Sequence, residues 1–264
     1  MEVVNKIILG IIQGITELLP VSSSGHLTIA GEILNFEIDF AFLLFLHLAT
    51  GLAISLGFWK EIKSVFVSKK RKHLIKLFLI GILPAGIIGM ILKNPIELYL
   101  HNSLNIVLMM LIIIGTTMII VDYFFYHRNK VISEINFERI SFKSAAIIGI
   151  SQILALVPGT SRSGITILSA IALGVDRKTA IAFSFLVGLP LILGSFIFEA
   201  AQNTEIIYKF LSPEYILIGF VSFLFALLTV QVIKRLAHLK FLAIFGCYRI
   251  FLAILVVLTL HLTS

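Results

Sequence analysis

Pro158-Gly159-Thr160-Ser161-Arg162-Ser163-Gly164-Ile165-Thr166 interrupts one of the most apolar regions of a 264-residue chain in which 59% of residues are apolar and 13% charged. Soluble domains average roughly half apolar and about a quarter charged residues, so this composition belongs to an integral membrane protein. An arginine at the centre of a bilayer costs from about 3 to well over ~10 kcal/mol. Arg162 therefore has to face an anionic partner inside a protein cavity. The apolar runs on either side of the break, 142–157 and 161–174, are each too short to span a hydrocarbon core of about 30 Å.

The N-terminal region carries the same pattern. Residues 7–34 read as one helix would be about 42 Å long at 1.5 Å per residue, and Pro20 followed by Ser22, Ser23, Ser24 and Gly25 breaks them. Gln13, Glu17 and Pro20 within the apolar region also argue against a cleavable leader. Each short pair is read as a re-entrant hairpin, which is tolerated only when buried in protein or lining a watery cavity. Three runs of spanning length follow the first hairpin, 41–59, 74–92 and 105–125, and three follow the second, 179–199, 215–233 and 241–261. The predicted fold is an all-α integral membrane protein of six transmembrane helices plus two re-entrant helical hairpins.

Sliding the chain on itself by 139 residues places Gly10 on Gly149, Gln13 on Gln152, Ser22 on Ser161, Ser24 on Ser163 and Gly25 on Gly164 without a gap. We therefore read 1–264 as a single membrane domain of two repeats, 1–126 and 142–264, with a linker at 127–141. Three spans per repeat is an odd number, which makes this an inverted-topology repeat. The charges agree. With the Lys60 to Lys76 loop inside, sixteen of the 21 Lys and Arg residues fall in cytoplasmic segments, among them Arg128, Lys130, Arg177 and Lys240. Lys6, Lys93 and Lys209 lie outside, and Arg162 and Arg249 lie at membrane depth. Both termini are then outside, and the two tips meet near the mid-plane from opposite faces. Topology accounts for the net charge of +7, and no Lys/Arg-aromatic face points to nucleic acid. Cys247, the sole cysteine, excludes an internal disulfide and is read as a small packing residue.

At the meeting point Gln13 and Glu17 share one helix face, Ser22, Ser23, Ser24 and His26 sit at or after the first tip, and Ser161, Arg162, Ser163 and Thr166 come from the second. Two helix N-termini aim their positive ends at the same place, which suits a phosphate. Glu17 can hold a divalent cation, a serine near a histidine can be an activated nucleophile, and Arg162 can stabilise a transferred phosphoryl group. Plainer readings stand beside these. Serines in membrane helices often bond back to their own backbone, and Glu17 with Arg162 makes a structural ion pair across the tips. His26 reads as a helix-packing residue, and His47, mid-span, can approach the site but is read as a satisfied interior histidine. Arg249 either lines the site or snorkels, and Trp59, Asp122, Tyr123 and Tyr126 anchor span ends at the interface.

Residues 13–26, Gln-Gly-Ile-Thr-Glu-Leu-Leu-Pro-Val-Ser-Ser-Ser-Gly-His, and 158–166 resemble the (Glu/Gln)-x-x-x-Glu and Pro-Gly-x-Ser-Arg-Ser-x-x-Thr motifs of the undecaprenyl-pyrophosphate phosphatases of the bacitracin-resistance type. Weaker similarity, at Gly81 to Ala85 and Phe245 to Arg249, extends over nearly the whole chain. The resemblance implies hydrolysis of a polyprenyl diphosphate lipid to the monophosphate and phosphate, aided by a divalent cation, Mg²⁺ or Ca²⁺. It implies a plasma-membrane protein with its site open to the outer face. It also implies Glu17 for metal and catalysis, Ser23 as nucleophile and His26 as its proton partner. Arg162, Ser161 and Thr166 would hold the pyrophosphate, with Gln13, Ser22, Ser24 and Ser163 beside them. Gln13 stands where many members carry glutamate and cannot act as an acid or base. A transporter or flippase of a lipid phosphate or small anion is the rival reading, since it too needs Arg162 and the helix dipoles. Phosphatidic-acid-type phosphatases are set aside, because the histidine they require six residues after the arginine is Leu168 here. The oligomeric state is left open, a homodimer included.

Overall fold

The computed structural model describes residues 2–99, 103–125, 134–237 and 241–263, and within these the side chains of 93–99 and 261–263 lie outside the description. Tyr126, Arg128, Lys130 and Lys240, with residues 127–133 of the expected linker, are therefore outside the described residues, as is the side chain of Lys93. Among the described residues every regular element is helical: α1 Glu2–Thr16, α2 Ser23–Leu34, α3 Phe40–Gly57, α4 Trp59–Val67, α5 Arg71–Tyr99, α6 Leu104–Phe125, α7 Phe142–Ser151, α8 Arg162–Ala172, α9 Arg177–Gln202, α10 Glu205–Phe210, α11 Pro213–Leu236 and α12 Phe241–Thr263. Six of them, α3, α5, α6, α9, α11 and α12, are long and apolar enough to cross a membrane, and they coincide with the six expected runs. The protein is a multi-pass membrane protein. Helices α1, α2, α7 and α8, at 10 to 15 residues, are only about 15 to 22 Å long.

Local chemistry sets the boundaries. Asp39, Ser141, Asp176 and Ser212 cap α3, α7, α9 and α11, each accepting a bond from an N–H in the first turn. Where the sequence suggested one helix over 142–157, α7 stops at Ser151 and a 3₁₀ turn runs from Gln152 to Leu156. The residue before a proline is driven out of the α region, and Val157, preceding Pro158, is extended at φ −83°, ψ 121°. The tighter winding closes the helix ahead of that block.

Helices approach closely where glycine removes the side chain. A Cβ on Gly115 of α6 would sit 2.9 Å from the carbonyl oxygen of Gly246 on α12. A Cβ on Gly149 of α7 would sit 2.8 Å from the Gly81 carbonyl on α5. Such contacts let backbones pack in a medium that offers no hydrophobic gain between helices. The largest apolar cluster lies around α8 and α9, where Ile167, Ile171, Ala182, Phe183 and Phe185 are fully buried.

Two expectations are corrected. Asp122 is not an interfacial anchor but is 1% exposed, accepting from Arg177 Nη2 at 2.9 Å and from the Ala243 N–H at 3.0 Å. Its depth excludes water, so it has to be paired. Cys247 faces outward on α12 rather than into the packing.

The start of α3 is tied to α10 by Lys209 Nζ, 2.8 Å from Asp39 Oδ2. Burial raises the Asp39 carboxyl, but the bonds from Lys209 and the Phe42 N–H outweigh it and hold the group below its ordinary 3.8. A depressed carboxyl contributes stability that is present above the unfolded value and lost as pH falls through the folded one. The melting temperature of the detergent-solubilised protein is accordingly expected to drop as pH is lowered from about 4 downward. Asp39→Asn should flatten part of that drop, as scanning fluorimetry would show.

Candidate active site

The two helix breaks make the same cap. Ser22 precedes α2 at φ 75°, ψ 94° and its hydroxyl accepts from the Gly25 N–H at 3.2 Å. Ser161 precedes α8 at φ 74°, ψ 110° and accepts from the Gly164 N–H at 3.0 Å. Each capping hydroxyl lies 3.3 Å from the serine two residues on, Ser24 in one tip and Ser163 in the other. Positive φ is uncommon in a residue with a side chain and costs of order 1 to 3 kcal/mol, so both conformations persist only because their surroundings fix them. The result is two helix N-termini with free donors. The main-chain N–H groups of Ser23, Ser24, Arg162 and Ser163 have no acceptor among the described residues.

The tips converge on Glu17, whose side chain is 5% exposed. Its Oε1 accepts from Arg162 Nη2 at 3.1 Å. Its Oε2 accepts from Ser23 Oγ at 2.6 Å and from Gln13 Nε2 at 3.2 Å, and His47 Nε2 lies 3.5 Å from the same oxygen. Ser163 Oγ reaches the main-chain carbonyls of Glu17 and Leu19 at 3.4 and 3.5 Å. Arg162 is aimed from behind, since Nη1 donates to the Ser184 carbonyl at 3.3 Å. A Cβ at Gly188 would fall within its guanidinium, so that glycine makes the arginine's space.

The expected residues divide into two groups. Gln13, Ser23 and Arg162 direct their polar atoms at Glu17, whereas Ser22 and Ser161 are occupied as caps. Thr166 bonds back to the carbonyls of Arg162 and Ser163 and to the Ser184 hydroxyl. Ser24 accepts a long bond, 3.5 Å, from the Gly159 N–H of the opposite tip. His26 departs from the expected pairing with Ser23. Its Nδ1 faces the Ser22 carbonyl at 2.7 Å and its Nε2 the Tyr248 hydroxyl at 2.8 Å, while the Ser23 hydroxyl donates to Glu17 instead.

His47, read from the sequence as a satisfied interior residue, belongs to the site, one helix turn of α3 presenting it to Glu17. Ser184 and Gly188 give no signal in the sequence, being small residues in an apolar span. Arg249 does not snorkel. It is fully buried, and its guanidinium donates to the carbonyls of Pro20 in the first tip, Gly159 and Thr160 in the second, and Met110 and Leu111 on α6. It thus ties the two tips to one another and to the helix beneath them.

Fold and site together define a multi-pass, all-helical membrane protein whose polar centre is built where two strained helix starts face each other across an ion pair. The family model described as bacitracin resistance protein BacA matches residues 6–255. An undecaprenyl-diphosphatase of Thermosipho africanus is 39% identical over 257 residues, which cover 95% of this chain and 98% of the relative. One of Campylobacter hominis is 37% identical over 260 residues, covering 96% and 97%, and one of Methanosphaera stadtmanae is 32% identical over 280, covering 98% of each. The chain belongs to the bacitracin resistance protein BacA family.

Removing the Arg249 head group leaves carbonyls of both tips without donors, at about 1 to 3 kcal/mol for each one left unsatisfied. Arg249→Met is expected to lower the melting temperature in detergent by many degrees, whereas Arg249→Lys, which restores part of the donor set, should recover some of the loss.

Proposed function

We infer that this protein is an undecaprenyl-diphosphatase. It hydrolyses undecaprenyl or a similar polyprenyl diphosphate to the monophosphate and inorganic phosphate, which returns the lipid carrier to cell-envelope glycan synthesis and fits the bacitracin-resistance name of its family. The observation that carries the chemistry is the Ser23 hydroxyl donating at 2.6 Å to a buried carboxylate that Arg162 also holds.

In this reading the diphosphate lies between the tips, its oxygens facing the N–H groups of Ser23, Ser24, Arg162 and Ser163 and the Arg162 guanidinium. Ser23 Oγ attacks the terminal phosphorus as its proton passes to Glu17 Oε2. The anhydride P–O bond breaks and the lipid monophosphate leaves with the bridging oxygen. Water then attacks the phosphoserine, the Ser23 Oγ–P bond breaks, and Ser23 regains its proton from Glu17 while phosphate departs. Arg162 neutralises charge gathering on the transferred group. No cluster of three or more His, Cys, Asp or Glu occurs among the described residues, so a divalent cation would have few protein ligands. Glu17 fits it, as does the Oε1 of Gln13, which is buried and has no hydrogen-bond partner, with phosphate and water oxygens completing the shell. Such an ion supplies further neutralisation of phosphate charge.

The two pairs of short helices are re-entrant hairpins in this reading, and 1–126 and 142–264 are inverted copies within one domain. The near-identical caps at Ser22 and Ser161, 139 residues apart, support the repeat. The distribution of Lys and Arg supports both termini outside, and the family resemblance a site open to the outer face.

The test is phosphate release from undecaprenyl diphosphate by purified protein, with and without chelator, alongside lipid binding by Ser23→Ala. Release that needs the cation, and a Ser23→Ala protein that binds but does not hydrolyse, are expected. Lipid movement across vesicles without hydrolysis would instead make the protein a carrier. Gly188→Ala pushes the Arg162 head group off Glu17 and leaves that buried carboxylate without its cation. Its turnover should fall at least about a hundredfold and its melting temperature by several degrees.

A further inference from the structure

Tyr248 lies on α12 beside Arg249 and is, among the described residues, the partner of His26 Nε2. The two rings are 8° from parallel with centroids 5.6 Å apart, and the phenolic oxygen lies 2.8 Å from Nε2. The other nitrogen, Nδ1, is 2.7 Å from the Ser22 carbonyl, which can only accept. Nδ1 therefore carries the hydrogen. In the neutral ring Nε2 then holds the lone pair and accepts the tyrosine O–H. When the ring gains a proton, Nε2 donates and the phenol accepts. A hydroxyl serves both states without moving the ring, which a backbone N–H or carbonyl could not do.

We propose that Tyr248 is a positioning residue for His26, fixing the imidazole as the Nδ1–H form and making Nε2 the nitrogen through which it exchanges a proton. The Ser23 hydroxyl is already bound to Glu17, so the pair of His26 with Tyr248 stands apart from it and is left to take the proton of the water that attacks the phosphoserine. Helix α12 sets both the first tip's backbone, through Arg249 and the Pro20 carbonyl, and the orientation of its histidine. The role in turnover rests on the phosphatase reading, whereas the ring geometry does not.

Tyr248→Phe keeps the ring contact and removes only the hydroxyl. A fall in kcat of about tenfold with KM within about twofold is expected. In a His26→Gln background the same substitution should cost nothing further. Wild-type kcat in Tyr248→Phe, or an equal loss in the His26→Gln background, would overturn the proposal, since a packing role alone would act independently of the histidine. Ring-nitrogen NMR of ¹⁵N-histidine-labelled protein in detergent gives a readout that needs no turnover, with the His26 signals identified by their loss in His26→Gln. At a pH where the ring is neutral, Nδ1 should be protonated and Nε2 not, and Tyr248→Phe should shift Nε2 while leaving Nδ1 in place. An Nε2–H ring, or an Nε2 signal unmoved by Tyr248→Phe, would refute it. If wild type released no phosphate, the phosphatase reading would fail while the NMR result still judged the tyrosine.

Discussion

A carboxylate and a guanidinium brought to 3.1 Å between two broken helices set the terms for the rest of the molecule. Each charge alone would be costly in an apolar surrounding, and a buried pair is tolerated only when hydrogen bonds satisfy what the partner leaves over. Those bonds are present. Glu17 takes Ser23 and Gln13 on one oxygen while Arg162 takes the Ser184 carbonyl with its other nitrogen. The same contacts are the ones phosphoryl chemistry needs, a hydroxyl already directed at a base and a cation beside it. In the proposed mechanism the arrangement that makes the charges bearable also readies them for reaction.

Holding that pair in place falls to groups that touch neither charge. The serine caps at φ 75° and 74° store strain in both tips, and a strained backbone survives only if its neighbours over-determine it. Arg249 does this for three of the tip carbonyls, and it can do so because Gly115 and Gly246 let α12 lie close on α6. Gly159, at φ 89°, presses on Val107 of α6, where a Cβ would come within 2.7 Å of the carbonyl oxygen. Small residues thus carry as much of the site as the charged ones do.

The six spans were legible because run length against bilayer thickness needs no partner information. The breaks were legible for a similar reason, since Pro20 and Pro158 interrupt helices locally, and the matching caps at Ser22 and Ser161 fall 139 residues apart. What could not be read depends on neighbours distant in the chain. Among the described residues Arg249 bonds to main-chain carbonyls, which leave no side-chain pattern. His47 meets Glu17 from another helix, and Gly188 is recognisable only once the arginine beside it is placed. The pairing of Ser23 with His26 came from the family resemblance, yet the Ser22 carbonyl and Tyr248 occupy both ring nitrogens.

The candidate site draws on both halves of the chain, Glu17 and Ser23 from one and Arg162 from the other. The most direct measurement is an experimental structure of the protein with orthovanadate, a mimic of the transferred phosphoryl group. Vanadate bound at Ser23 Oγ and simultaneously contacted by the Arg162 guanidinium and the N–H groups of both helix starts is the expected result. Vanadate held by one tip alone, or at a place away from Glu17, would contradict it.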